Sequence, residues 1–274
     1  MTGPFAGSLE GKTAIIAGAA SGVGRAIARR FAAAGARLML ADTDDAGLDE
    51  TAGEIGAGIE APPEHISCFA HAIDDKLGVT NLIAATIDAF GRIDILVTDT
   101  RTCPSGGLFD LTAVEFDAAI SCNVRSAFLL TQLAAKRMIQ QREADPEFAG
   151  ALVNITSIAA RRTVPGLLAY SVSTAALDQL TRSTAACLAP HGIRVNAVAL
   201  GAVMTANLRQ ALHEREELRD EIAAVTPLGR VGEAAEAAEA ALFLASPAAG
   251  FITGQIVAVD GGRLILDPLT STVR

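Results

Sequence analysis

A single tyrosine occurs in this chain, Tyr170, and it follows Ser157 by 13 residues. A tyrosine hydroxyl can give a proton to an alcohol oxygen, or take one from it, while a hydride moves elsewhere. Free phenol has a pKa of about 10, so at neutral pH only roughly one molecule in a thousand is the base. A nearby cation favours the phenolate and lowers that pKa. Four residues beyond Tyr170, one helical turn away on the same face, stands Thr174, which carries no charge. The pair reads as a proton-transfer device that lacks its cation.

Such a device needs a scaffold, and the hydropathy pattern supplies one. Short apolar runs at Thr13–Ala17, Arg37–Ala41, His65–Ala70, Ile93–Thr98, Ala151–Thr156, Ile193–Ala199 and Gln255–Val259 alternate with Ala-rich amphipathic stretches. The stretches begin near Gly22, Asp45, Lys76, Thr112, Gly166 and Glu233. Near-continuous apolar strands alternating with helices imply a parallel sheet covered on both faces, and the right-handed crossover rule makes it doubly wound. The expected fold is therefore α/β, a single-domain Rossmann-type doubly wound parallel sheet over residues 1–274. Two segments stand apart. Gln141–Gly150 reads as a polar loop, and Thr205–Val225 is a charged helical stretch suited to a lid over a cleft.

The first strand runs into Gly18-x-x-x-Gly22-x-Gly24 and then a helix. Glycines there permit a tight turn and let backbone N–H groups reach a pyrophosphate, which the helix N-terminus favours. Gly18, Ser21, Gly22, Val23 and Gly24 are the candidate phosphate contacts, and Asp42 ends the second strand. An acid at that place binds the ribose hydroxyls of NAD and repels the extra phosphate of NADP. No basic residue sits at Ser21 or directly after Asp42, so NAD is the expected cofactor.

Bulk properties narrow the classes further. Half the residues are apolar and 19% are charged, which disfavours disorder. A net charge of −9 argues against nucleic acid or an anionic membrane surface as partner. No apolar run is long enough for a membrane span, and the start lacks the basic-then-apolar form of a signal peptide, so the expected setting is cytoplasmic. The cysteines Cys68, Cys103, Cys122 and Cys187 form no CxxC pair and read as small buried apolar residues. No histidine spacing suggests a metal.

From about Leu9 to Gly262 these pieces together resemble the short-chain dehydrogenase/reductase family. GAASGVG, FGRIDILV, VNITSIAA, AYSVSTAALDQLTR, HGIRVNAVALGAVMT and TGQIVAVDGG carry the likeness. In such enzymes serine and tyrosine hydroxyls hold the substrate oxygen. A lysine binds the nicotinamide ribose and lowers the tyrosine pKa, and an asparagine continues a proton relay. By position the resemblance assigns Asn123, Ser157 and Tyr170 as catalytic residues, with Tyr170 also beside the cofactor; the lysine position is Thr174. It also implies an oligomer, with the helices around Asn123 and Tyr170 packed against their counterparts in another subunit.

The departures follow the cofactor track. The family's Asn-Asn-Ala-Gly is Thr98-Asp99-Thr100-Arg101, its adenine-side aspartate is Ala72, its Pro-Gly is Leu200-Gly201, and its opening threonine is Ala17. Weak NAD binding is the expectation. Three functions remain open: an active NAD-dependent dehydrogenase or reductase with a substitute for the lysine, a low-activity or non-catalytic subunit, and a binding module for NAD or a small ligand. The second is narrowly favoured, as a homo- or hetero-oligomer whose candidate partner is a catalytically intact relative. Arg101 is either a replacement cation or, the favoured alternative, an arginine pointing to solvent. Asp99 reads as a cap or turn residue, and Asn123 as relay or helix-backbone partner alike. Leu108, Leu167 and the lid are expected to line an apolar substrate pocket.

Overall fold

The computed structural model of the protein describes residues 7–59 and 62–266. Seven strands form one parallel sheet: β1 (Thr13–Ala17), β2 (Arg37–Asp42), β3 (Ile66–Ala70), β4 (Ile95–Thr98), β5 (Gly150–Ser157), β6 (Ile193–Leu200) and β9 (Ile256–Val259). Their order is β3-β2-β1-β4-β5-β6-β9. Two short segments, β7 (Val203–Met204) and β8 (Gly232–Glu233), pair separately. Successive side chains on a strand point to opposite faces, so both faces need cover. Ala14 and Ile16 pack on one side against helices α1 (Gly22–Ala33) and α9 (Ala234–Ala245). On the other side Ile15 and Ala17 join a cluster with α3 (Lys76–Phe90) and α5 (Ser126–Ala144).

The remaining helices are α2 (Asp45–Ile59), α4 (Ala113–Ile120), α6 (Leu168–Leu188), α7 (Ala206–Glu214) and α8 (Glu217–Ala224). The chain reverses direction across the sheet between β1 and β4, and the crevice beyond the carboxyl ends of these strands is where such sheets bind ligands. Asp99 to Arg101 leave β4 into that crevice, and β5 ends on Ser157 beside it.

Several boundaries differ from those the sequence suggests. The segment Gln141–Gly150 is a loop only from Asp145, because α5 continues to Ala144 while the Gln141 amide bonds both the N–H and the carbonyl of Ile93. The charged stretch after Thr205 is two helices, α7 and α8, and Thr205 caps the first by accepting the Leu208 N–H. The cysteines are not core residues: Cys68, Cys103 and Cys187 are exposed and Cys122 is half-buried. Cys68 lies on the edge strand β3 and Cys103 on the loop after β4. No helix among the described residues is long and apolar enough to cross a membrane.

A buried polar chain crosses the sheet below the crevice. Thr98 donates to the Asn154 carbonyl oxygen at 2.7 Å, the Asn154 amide donates to Thr181 at 2.9 Å, and Thr181 donates to the Leu177 carbonyl on α6. It fixes the helix that carries Tyr170 relative to β4 and β5. Asn154→Leu strands the Thr98 hydroxyl and removes the acceptor chain, and each buried orphan costs about 1–3 kcal/mol. Urea unfolding should show Asn154→Leu destabilised by about 2–4 kcal/mol with an unchanged m-value.

Candidate active site

Close backbone approach shapes the nucleotide end. A side chain on Gly18 would place its Cβ 2.6 Å from the Asp99 carbonyl oxygen, and one on Gly24 would meet the Gly18 carbonyl at 1.9 Å. Both glycines are therefore required by packing of the turn against β4 and of α1 against the turn. Gly22 differs: it has φ of +57° and open space, with only Thr205 and the Arg101 guanidinium near a hypothetical Cβ. Ser21 makes no side-chain cap to α1, and no acidic residue sits in its first turn. This uncapped helix start opens on a groove of about 710 Å³ lined by Ser21, Gly22, Asp42, Ala72, Thr100 and Arg101, among others. Val23 is fully buried beneath it, so only its backbone can serve a phosphate. A helix start without a side-chain cap, a glycine in place of a side chain and an acid at the far end fit a dinucleotide.

Asp42 is held in place rather than free. It accepts the N–H groups of Ala20, Thr43 and Asp44, which link the end of β2 to the glycine turn. Thr100 does not point its hydroxyl at the groove; it bonds Ser126 at 3.2 Å and the Cys122 carbonyl. That carbonyl is available because the helix between α4 and α5 widens into a π-turn over Ser121–Arg125. The π-turn contains Asn123, and nothing in the helical periodicity of the sequence marks it.

At the other end, Tyr170 is half-buried near the start of α6. Ser157 accepts the Ala159 N–H and donates to the Leu200 carbonyl at 3.5 Å, and its hydroxyl also interacts with that of Tyr170. Thr174 is buried and its hydroxyl is spent on its own helix, donating to the carbonyls of Tyr170 and Ser171. Asn123 does not bond the helix backbone: its amide donates to the Thr102 carbonyl and Ser173, and accepts the Thr102 N–H. It ties the loop after β4 to α6. Leu108 is mostly exposed and Leu167 half-buried, and the backbone of Gly106 bridges to that of Leu167. Thr205, at the start of the 205–225 segment, lines the nucleotide groove.

Arg101 does not point to solvent. Its guanidinium lies 3.6 Å from the Asp99 carboxylate, near Gly22, and interacts with the Tyr170 hydroxyl. Asp99 is buried and paired with Arg101 and with the Gly24 N–H in the first turn of α1, while Oδ1 lacks a hydrogen bond. Burial pushes the Asp99 carboxyl up, against the pull of Arg101 and the Gly24 N–H. Asp99 in turn holds the Arg101 guanidinium more firmly charged. Burial also raises the Tyr170 hydroxyl above its usual value, and the Arg101 charge is the largest opposing influence, followed by the Ser157 hydroxyl. Among the described residues no cluster of His, Cys, Asp or Glu could hold a metal ion.

A family model described as enoyl-(acyl carrier protein) reductase matches residues 18–263. The chain belongs to the short-chain dehydrogenase/reductase family. Among short-chain dehydrogenase/reductase relatives, it is 37% identical to galactitol 2-dehydrogenase (L-tagatose-forming) of Cereibacter sphaeroides, across 94% of this chain and 96% of that one. It is 33% identical to a 3-oxoacyl-[acyl-carrier-protein] reductase of Thermotoga maritima, across 94% and 99%. A solved 7α-hydroxysteroid dehydrogenase complexed with NADH and 7-oxo glycochenodeoxycholic acid superposes with a TM-score of 0.86 at 33% identity, covering 96% of this chain and 98% of that one. The seven-stranded sheet is thus the family fold.

The uncharged Thr174 hydroxyl bonds carbonyls of its own helix and makes no bond to Tyr170 Oη. Thr174→Val should change stability by no more than about 1 kcal/mol. The pH titration of Tyr170, followed by its near-ultraviolet absorbance, should be unchanged.

Proposed function

We propose that the chain is an NAD(H)-dependent oxidoreductase of hydroxyl or keto compounds, of low turnover, in which Tyr170 moves the proton. One observation carries the proposal. The groove that begins at Asp42 and the open start of α1 ends against Arg101, whose guanidinium interacts with the Tyr170 hydroxyl, so the nucleotide and proton-transfer ends adjoin. Bound there, NAD(H) supplies or accepts the hydride. The α1 N–H groups at Gly22 and Val23 would hold the pyrophosphate, with Gly18, Ser21 and Gly24 shaping the turn. Asp42 takes the ribose hydroxyls and disfavours a 2′-phosphate. Affinity is weak, since Ala72 and Thr174 offer no charged contact and Arg101 occupies the groove's end.

In the oxidative direction Tyr170 as phenolate takes the hydroxyl proton while the carbon yields its hydride, leaving a carbonyl; reduction runs the same transfers backwards. Ser157 holds the substrate oxygen. Asn123 positions α6 through Ser173 rather than passing protons, since the Thr102 backbone and Ser173 engage both ends of its amide. Helices α7 and α8 serve as a lid, with Thr205 at its hinge side, and the protein works in the cytoplasm.

A second reading is supported by the spent hydroxyl of Thr174: a silent subunit. In it, α5 and α6 present the exposed Phe128 and Val172 to a copy of the chain or to a catalytically intact relative. Calorimetric titration and steady-state turnover separate the two. The first requires NAD to bind more tightly than NADP, with the preference lost in Asp42→Ala. It also requires Tyr170→Phe to keep NAD binding within about twofold while losing a hundredfold or more of turnover. NADP binding as tight as NAD, or turnover that survives Tyr170→Phe, contradicts it.

A further inference from the structure

Resting on the oxidoreductase reading, we propose that Arg101, presented by Asp99, is the working cation of this site and takes over the charge that position 174 lacks. Helix α6 offers Tyr170 no cation, because one turn on from it stands the neutral, self-bonded Thr174. The segment leaving β4 supplies one instead. Asp99 is fixed by its own N–H bonded to the Ala17 carbonyl at 2.8 Å and by its carbonyl lying against Gly18. Its buried carboxylate also takes the Gly24 N–H, and its Oδ1, without a hydrogen bond, lies 3.6 Å from the guanidinium. Arg101 is thereby aimed inward between the phosphate turn at Gly22 and the hydroxyl of Tyr170, with only about a third of its side chain exposed.

The chemistry suits the place. Guanidinium stays charged at every working pH and presents several N–H donors in a fixed plane, so it can favour phenolate and keep a donor for a phosphate or ribose oxygen. The Asp99 pairing argues against a substrate carboxylate as its main partner, since a protein carboxylate already fills that role. Asp99 acts through Arg101 and is a positioning residue.

Tyr170 is the one tyrosine of a chain with no tryptophan, so phenolate absorbance reports this hydroxyl alone and needs neither cofactor nor substrate. Removing the cation in Arg101→Gln should lower the phenolate fraction at a fixed alkaline pH about tenfold. Arg101→Lys should stay within about threefold of the wild type, and adding Thr174→Lys to Arg101→Gln should bring the signal back. Because Arg101→Gln strands a buried carboxylate, the double variant Arg101→Gln/Asp99→Asn provides the version without stranded charge; it should show the same direction of change. In the oxidative reaction, the alkaline rise of kcat/KM should move upward in pH by the same amount. Two results overturn the proposal: a Tyr170 titration unmoved or made easier in both Gln variants, or an Arg101→Gly protein that binds NAD more tightly and turns over faster, which would make Arg101 a plug. Failure of the wild type to bind NAD would sink the oxidoreductase reading alone, leaving the titration to decide the electrostatic claim.

Discussion

The contact between Gly18 and the Asp99 carbonyl governs the arrangement of the site. With a hypothetical Cβ only 2.6 Å from that oxygen, no other residue fits at Gly18 without movement of β4 or of the turn. The approach holds the phosphate turn and the segment after β4 as one unit. Everything that follows in the segment is then placed relative to the turn: Asp99 inward, Thr100 onto the π-turn carbonyl, Arg101 over Gly22. The polar chain from Thr98 through Asn154 to Thr181 does the same for α6, so Tyr170 and Arg101 reach each other from two rigid supports.

Electrostatically the site balances burial against one arginine. Burial alone makes Tyr170 a poorer base, and position 174 on the same helix face carries no charge to oppose it. Here the opposing charge comes from a different element, and Asp99 shares it. A cation shared with a buried carboxylate acts less strongly on a third group than a lone one at the same distance. Burial is the main reason that the Tyr170 hydroxyl stays above its usual value, and Asp99 adds to it in the same direction.

The fold was legible because parallel strands buried on both faces are written as unbroken apolar runs. Thr13–Ala17 keeps both its ends, and the helix starts at Gly22, Asp45 and Lys76 fall where glycine, capping and charge signals place them. Gln141 was hidden: read as loop, it is helical because its amide is claimed by Ile93 across 48 positions. The candidate site divides the same way. The glycine turn, Asp42, Ser157 and Tyr170 announce themselves by spacing, but the direction of the Arg101 side chain depends on its pairing with a buried Asp99, which no local pattern encodes. Asn123 is similar, since its partners Thr102 and Ser173 lie 21 and 50 positions away. The one hint was compositional: Asn154 inside the apolar run of β5 and Thr181 on α6 are polar residues in a core setting, and such residues ask for a partner.

A crystal structure of the protein grown with NAD tests the central claim most directly. The account predicts NAD along the groove with its pyrophosphate on the start of α1, and the Arg101 guanidinium still paired with Asp99 and in contact with the Tyr170 hydroxyl. An Arg101 side chain expelled into solvent by the bound nucleotide, with no cation left at Tyr170, would contradict it.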